Sequence, residues 1–268
     1  MFGEIWRPTK ILITARTYPT PARRGIEVSC TGGITADGRW IRLFPVPYRF
    51  LDHDKRFRKY QWIEVPIKKA SDRRSESYEL DCDSLKILTE PLTTDDCWKA
   101  RKAIIAPLQA SSLCMLQAEQ SAKGCPTLGF FKPRAIKRLI IEEDRKQWTK
   151  AEIARLRAPD LFGKTPAQEL EKLPYKFKYE FLCAEPECHG HELMCVDWEM
   201  GQSYRRWSRT YPDWEAAIRQ KYEREMIEKF DTHFFVGTVH QHPDAWIIIG
   251  LFYPPKEPQK PKQMALPL

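Results

Sequence analysis

The sequence predicts an α+β protein in which a β-rich front region leads into a ββαββ domain. Three observations carry that class. Short apolar runs alternate with period two from Lys10 to Ile67, the pattern of half-buried strands. One strongly periodic helix, Trp214 to Phe230, lies between strand-like runs in the last third of the chain. A regular strand from Tyr175 ends in a stretch dense in cysteine and histidine, the residue types that fix a small domain around an ion.

At 268 residues, with 42% apolar and 12% aromatic residues, the chain can bury one large or two modest cores. No apolar run approaches the roughly 18 residues of a membrane span, so no membrane partner is expected. The first ten residues contain Glu4, Arg7 and Pro8 in place of a signal-peptide apolar block, which predicts a cytoplasmic protein. There the eight cysteines are thiols or metal ligands rather than disulfides. A net charge of +8 is compatible with a partner made of phosphates, without saying where the charges lie.

Residues 1–92 form the first region. Lys10 to Ala15 reads as a buried first strand, Arg16 to Arg24 as a loop rich in proline and arginine, and Ile26 to Ile34 as a second strand broken at Gly32-Gly33. Asp37-Gly38 is a hairpin signal, because both residues tolerate positive φ. The return strand, Arg39 to Phe44, turns Ile41 and Leu43 one way and Trp40, Arg42 and Phe44 the other. Lys59 to Ile67 repeats the pattern, with Ile63, Val65 and Ile67 towards a core and Tyr60, Trp62 and Glu64 opposite. Basic runs at Lys55 to Lys59, Lys68-Lys69 and Arg73-Arg74 flank these strands. Rings interleaved with cations on a sheet face make a stacking platform for single-stranded nucleic acid. The alternative is that the rings pack beneath a second layer.

Residues 93–172 read as a helical and strand connector. Thr93-Thr94-Asp95-Asp96 starts a helix that runs to about Ala122, bent or broken at Pro107 and ended by Gly124 and Pro126. Leu128 to Phe131 leads into a strand, Ala135 to Ile141. The polar stretch Glu142 to Lys172 carries short helical patches at Thr149 to Arg157 and Pro166 to Lys172.

Residues 173–254 form the second domain. Its first strand, Tyr175 to Cys183, places Tyr175, Phe177, Tyr179 and Phe181 on one face. A strand from His191 to Glu199, a segment with Arg205, Arg206, Trp207 and Arg209, and the periodic helix follow. Phe234 to Val239 is a strand, His240 to Pro243 a turn, and Trp246 to Tyr253 a continuous apolar run, expected to be buried on both faces. Residues 255–268 are a proline-rich, extended tail.

Cys183, Cys188, His191 and Cys195 are spaced C-x4-C-x2-H-x3-C, with His189 as the substitute for any one of them. Four thiolate and imidazole ligands suit a structural Zn2+ site, closed and therefore unable to activate water. A redox pair or buried, unligated cysteines are the alternatives. A catalytic reading starts from the same strand. If it is regular, His191, Cys195, Asp197 and Glu199 share a face, and His240 and His242 continue the face of the strand from Phe234. Two carboxylates and two histidines there would hold a divalent ion for phosphodiester hydrolysis. Otherwise Asp197 and Glu199 cap the next helix or pair with Arg205 and Arg206, and His240 completes the zinc site. No nuclease signature, phosphate-binding glycine loop or nucleophile elbow accompanies them.

Two stretches resemble known families. I-L-I-T-A-R…C-T-G-G-I-T-A-D-G-R-W-I-R, within residues 10–44, resembles the opening of dual-OB-type domains of uncharacterised prokaryotic proteins, although Pro45-Val46-Pro47 departs from that pattern. The resemblance implies a small β-barrel and nucleic-acid binding. With the residue pattern of the back half, the fold class is α+β, a barrel-like N-terminal region plus a zinc-containing ββαββ C-terminal domain. Residues 263–268 resemble the short peptide with which bacterial replication and repair proteins dock on the DNA sliding clamp. Gln263, Leu266 and Leu268 stand at that motif's glutamine and aliphatic positions, and Met264 takes its second position.

These readings predict a zinc-stabilised nucleic-acid-binding protein, with DNA preferred to RNA, recruited through the clamp in replication, repair or defence against invading DNA. Its contact surface would comprise Arg16, Arg39, Trp40, Arg42, Tyr60 and Trp62 with Arg205, Arg206, Trp207 and Arg209. A metal-dependent nuclease and a protein–protein adaptor are the two alternatives.

Overall fold

The computed structural model describes residues 5–22, 27–157 and 169–257, which excludes the clamp-like Gln263, Met264, Leu266 and Leu268. The front region comprises β1 (Arg7–Arg16), β2 (Thr20–Pro21), β3 (Glu27–Thr35), β4 (Trp40–Val46), β5 (Trp62–Lys69), β6 (Ser77–Leu80) and β7 (Lys86–Ile87). Five of these close on themselves in the order β1-β3-β4-β6-β5, with β5 returning to β1. All the pairings are antiparallel except β4 with β6. Closure removes the exposed strand edges that an open sheet would present. The period-two residues Ile11, Ile13, Ile41, Leu43, Ile63, Val65 and Ile67 fill the interior with Phe57 and Leu85. The barrel is OB-like, and Gly38 (φ 78°) makes the Asp37-Gly38 turn between β3 and β4.

The rest of the chain carries α1 (Asp95–Ile105), α2 (Leu113–Lys123), β8 (Leu128–Phe131), β9 (Ala135–Glu143), α3 (Lys150–Arg157), β10 (Tyr175–Leu182), β11 (His191–Cys195), α4 (Trp198–Thr210), α5 (Trp214–Arg219), α6 (Glu225–Glu228), β12 (His233–Val239) and β13 (His242–Phe252). Its sheet runs β8-β12-β13-β11-β10-β9. The ββαββ outline is therefore present, with β8 and β9 added at its two edges. The periodic helix is α5 and α6 joined by a π-helical turn at Gln220–Arg224. No helix among the described residues is long and apolar enough to cross a membrane.

β13 is buried on both faces, as its unbroken apolar run requires. Ile248 and Leu251 join Phe177, Tyr179, Phe181 and Phe234 under the helical residues Met200, Tyr204, Ile218 and Tyr222. Ile249 and Phe252 face the other way and pack with Ala15, Ile34 and Tyr60 of the barrel region. The two parts approach closely here: a Cβ on Gly250 would lie 2.7 Å from the Ala15 Cβ.

Two differences from the sequence reading bear on the site. The strand from His191 stops at Cys195, not Glu199, because Asp197 takes the N-cap of α4: its Oδ1 accepts the Met200 N–H at 3.0 Å. The Arg205 segment is thus helical. In α1, Asp96, Cys97 and Trp98 have φ of 48°, 51° and 65°, so the right-handed helix begins after them. A left-handed turn costs about 1–2 kcal/mol for each non-glycine residue.

Arg42 shows how the barrel is tied down. It shares a face with Trp40 and Phe44, as its strand alternation dictates, but unlike exposed Phe44 it is covered. Arg42 is 2% exposed, and its guanidinium donates to Ser77 Oγ (3.1 Å), Thr127 Oγ1 (3.0 Å) and the Thr127 carbonyl (2.7 Å). Glu76 completes the bridge by accepting from the Thr127 N–H at 2.8 Å and hydroxyl at 2.7 Å. Replacing Arg42 with Met leaves those acceptors and Glu76 without the compensating cation. The expected loss is about 3–5 kcal/mol of unfolding free energy, measured by urea denaturation.

Candidate metal centre and nucleic-acid interface

β10 ends at Leu182, and the chain turns through Cys183 to Gly190 before β11 begins at His191. Gly190 has φ of 107°, a conformation that side-chain-bearing residues rarely adopt, and this folds Cys188 back under the strand end. Cys188 Sγ accepts the Cys183 N–H at 3.2 Å. Facing the turn is the N-terminus of α2, capped by Ser112, whose Oγ accepts the Met115 N–H at 3.1 Å. Cys114 lies on the first turn of that helix, with its Sγ 3.1 Å from His191 Nε2. The ligand atoms of Cys114, Cys183, Cys188 and His191 all lie within 4.8 Å of one another, a group that could hold a metal ion.

Three of the four ligands are those expected from the sequence; the fourth is not. Cys195 faces the buried core between sheet and helices, where burial pushes its thiol pKa up, and Cys114 stands in its place. His189 is exposed and outside the cluster. A lone cysteine 69 positions before Cys183 offers no spacing signal, so sequence reasoning had nothing from which to find Cys114.

The electrostatics favour a cation. Burial pushes the Cys114 thiol up to about 12, and the neighbouring Cys183 and Cys188 add to the rise. Burial also raises Cys183, against backbone N–H groups of Cys114 and Leu113 that point at its sulfur. Cys188 is lowered despite its desolvation, because N–H groups of Cys183 and Gly190 stabilise its thiolate. Burial lowers His191, which keeps the imidazole neutral and able to coordinate. Crowded thiolates repel one another, and a bound dication reverses that repulsion.

The proposed hydrolytic group does not assemble. Asp197 is buried, holding the α4 cap, the Leu251 N–H at 3.2 Å and the Lys59 ammonium at 3.5 Å. Glu199 accepts from the same Lys59 at 3.1 Å. His240 lies in the β12–β13 hairpin, 3.3 Å from Asp72, and His242 is exposed at the start of β13. Among the described residues no cluster of metal-ligating side chains contains any of the four.

The expected nucleic-acid surface is divided. Arg42 and Tyr60 are buried against the second sheet, the layer that the alternation alone could not reveal. Arg16 is clamped between Tyr48 and Trp198, with its guanidinium carbon 3.5 Å and 4.2 Å from the ring centroids. Arg205 and Arg209 both bind Glu171, at 2.7 Å and 2.6 Å, and Trp207 packs on the helical core. Arg206 is exposed on α4, and Trp62 is half-buried on β5. Arg39 and Trp40 remain together. With Arg7, Lys68, Lys69 and Tyr78 they line a groove of about 1130 Å³ at one end of the barrel.

Fold and site define a mixed α+β protein with a closed five-stranded, OB-like barrel and a thiol–imidazole cluster that could hold a metal ion. Comparison with known families matches two successive stretches of the chain. Residues 109–267 match the domain of unknown function DUF8757, and residues 7–107 match the domain of unknown function DUF8758. The chain belongs to the DUF8757 family. No curated protein matches it.

The geometry distinguishes Cys114 from Cys195 as a ligand. Purified protein is expected to carry one divalent ion per chain by elemental analysis. Cys114→Ser should lose most of it, whereas Cys195→Ala should retain it. Equal retention by both variants would remove Cys114 from the site.

Proposed function

We propose that the protein is a cytoplasmic, zinc-stabilised nucleic-acid-binding protein that acts on DNA in replication, repair or defence. The observation that carries the reading is the groove at the barrel end, where Arg7, Arg39, Lys68 and Lys69 surround Trp40 and Tyr78. Such a surface meets phosphates with cations and bases with rings. Among the described residues Arg39 pairs there only with exposed Asp37, and an ion pair in open solvent is weak enough for a phosphate to displace. Trp40 is steadied from below by Phe235, edge-on at 6.0 Å between ring centroids. Lys69 is less free, since its ammonium donates to the carbonyls of Arg74, Ser75 and Ser77, and Glu76 brings one negative charge to the lining.

Zinc is the ion that the ligand set fits best. Three thiols and an imidazole are the donors of structural zinc sites. A tetrahedron with sulfur bonds of about 2.3 Å has edges of about 3.8 Å, inside the 4.8 Å span of the ligand atoms. Cys114, Cys183, Cys188 and His191 would hold it, stapling α2 to the turn before β11. With four protein ligands the ion would supply stability rather than a reactive water.

Anisotropy with labelled single- and double-stranded DNA across a salt series tests the binding. Affinity is expected to fall steeply with salt. Arg39→Gln should reduce the log–log slope by roughly 0.7–0.9, and Trp40→Leu should weaken single-strand binding by about 1–3 kcal/mol. Salt-independent or absent binding sinks the proposal. Recruitment is a separate matter, supported only by the resemblance of residues 263–268 to a clamp-docking peptide. Removing those six residues is expected to abolish co-purification with the sliding clamp and leave DNA affinity within about twofold.

A further inference from the structure

A second concavity lies where the barrel meets the helical layer, and nothing in the groove reading uses it. It encloses about 510 Å³, within the roughly 300–1,000 Å³ of small-molecule sites. Its cations are Arg16, Arg58, Lys59 and Arg101, its rings Tyr60, Trp98, Trp198 and Tyr253, and its other polar side chains Glu199 and Gln202.

Four features mark it as built for a ligand. First, its rings are held in place by one another: Trp98 lies 5.9 Å from Tyr60 and 5.4 Å from Tyr253 between centroids. Second, Arg101 stacks its guanidinium over Tyr60 at 4.0 Å and Trp98 at 4.6 Å while its Nε donates to the Leu92 carbonyl at 2.9 Å. Its terminal nitrogens keep no partner among the described residues. Third, Trp198 is held by Tyr48, at 5.5 Å between ring centroids, and by the Arg16 guanidinium at 4.2 Å. Fourth, Tyr60 and Trp98 both have φ of 65°, and backbone held in that region by non-glycine residues concentrates at ligand sites.

The charges narrow the ligand. Lys59 is engaged by Asp197 and Glu199, and exposed Arg58 pairs with Glu90. Arg101 therefore offers the least committed positive charge of the lining, which also holds Arg58 and the hydrogen-bonding groups of Glu199 and Gln202. We propose that this cleft binds a single nucleotide, its base stacked on Trp98 and its phosphate on Arg101 and Arg58. The source is a free mononucleotide or one unpaired nucleotide of a strand. Only the second rests on the nucleic-acid function proposed above.

Fluorescence titration separates these cases. The probes are 2-aminopurine riboside 5′-monophosphate and a DNA duplex with a single bulged 2-aminopurine. Stacking quenches both, and wild type is expected to quench at least one. Trp98→Leu and Arg101→Gln should each weaken that binding about tenfold or more, Trp98→Phe should retain most of it, and Arg39→Gln in the barrel groove should leave the monophosphate unaffected. Circular dichroism and metal content monitor folding of each variant. The inference falls if wild type quenches neither probe, or if Trp98→Leu and Arg101→Gln both bind like wild type. Salt-dependent binding of unmodified single strands by the groove would survive either result, so the two proposals fail separately.

Discussion

The structure turns on one buried ion pair. Lys59 comes from the loop before β5, and Asp197 from the junction of β11 and α4. Their side chains are 8% and 1% exposed, and the ammonium lies 3.5 Å from the carboxylate. Asp197 also caps α4 and accepts the backbone N–H of Leu251. One carboxylate thus joins a barrel loop, a helix start and the central strand of the second sheet. Desolvation alone would favour a neutral Lys59, but Asp197 and Glu199 more than offset it, and its pKa is raised well above that of a free lysine. The side chain therefore remains an ammonium, a geometric anchor rather than an amine nucleophile. A buried pair of this kind adds little net stability over an apolar one and is costly to break. What it fixes here is how barrel and sheet face each other, and so the walls of the cleft between them.

The Cys/His cluster constrains a different part of the chain. It ties the first turn of α2 to the turn before β11, which precedes a strand at the middle of the second sheet. The α2 N-terminus points backbone N–H groups at Cys183, while Gly190 allows the tight return that brings N–H groups to Cys188. The backbone is therefore arranged to accept thiolate charge at two of the three sulfurs.

Local periodicity made much of this legible. The alternations at Ile41/Leu43 and Ile63/Val65/Ile67 placed the barrel core, the Asp37-Gly38 pair placed its hairpin, and the unbroken Trp246 to Tyr253 run placed a doubly buried strand. Three ligands of the cluster were legible because they are neighbours in sequence. Contacts between distant segments were not. Cys114 shares no spacing with Cys183, and the second layer over Arg42 and Tyr60 comes from strands more than 60 residues further on. For Asp197 the sequence allows a strand position, since alternation continues past Cys195, or a cap of the next helix; the backbone leaves the strand and takes the cap.

The same limit governs the charge. A surplus of +8 says only that cations outnumber carboxylates. The fold removes some of those cations from reach: Arg42 into hydrogen bonds at the seam, Arg205 and Arg209 onto Glu171, Arg16 between two rings. Burial is the main cause that lowers the pKa of Arg16 and Arg42, with the Arg74 charge adding to it at Arg42, the expected cost of placing a guanidinium in a poorly hydrated site. Arg39, exposed beside Trp40, can instead exchange water for phosphate at little cost, whereas Arg101 over Trp98 is half-buried and burial lowers its pKa too. Any anionic partner should therefore be drawn to the barrel end and the seam, rather than to the Arg205–Arg209 helix, two of whose arginines are committed to Glu171.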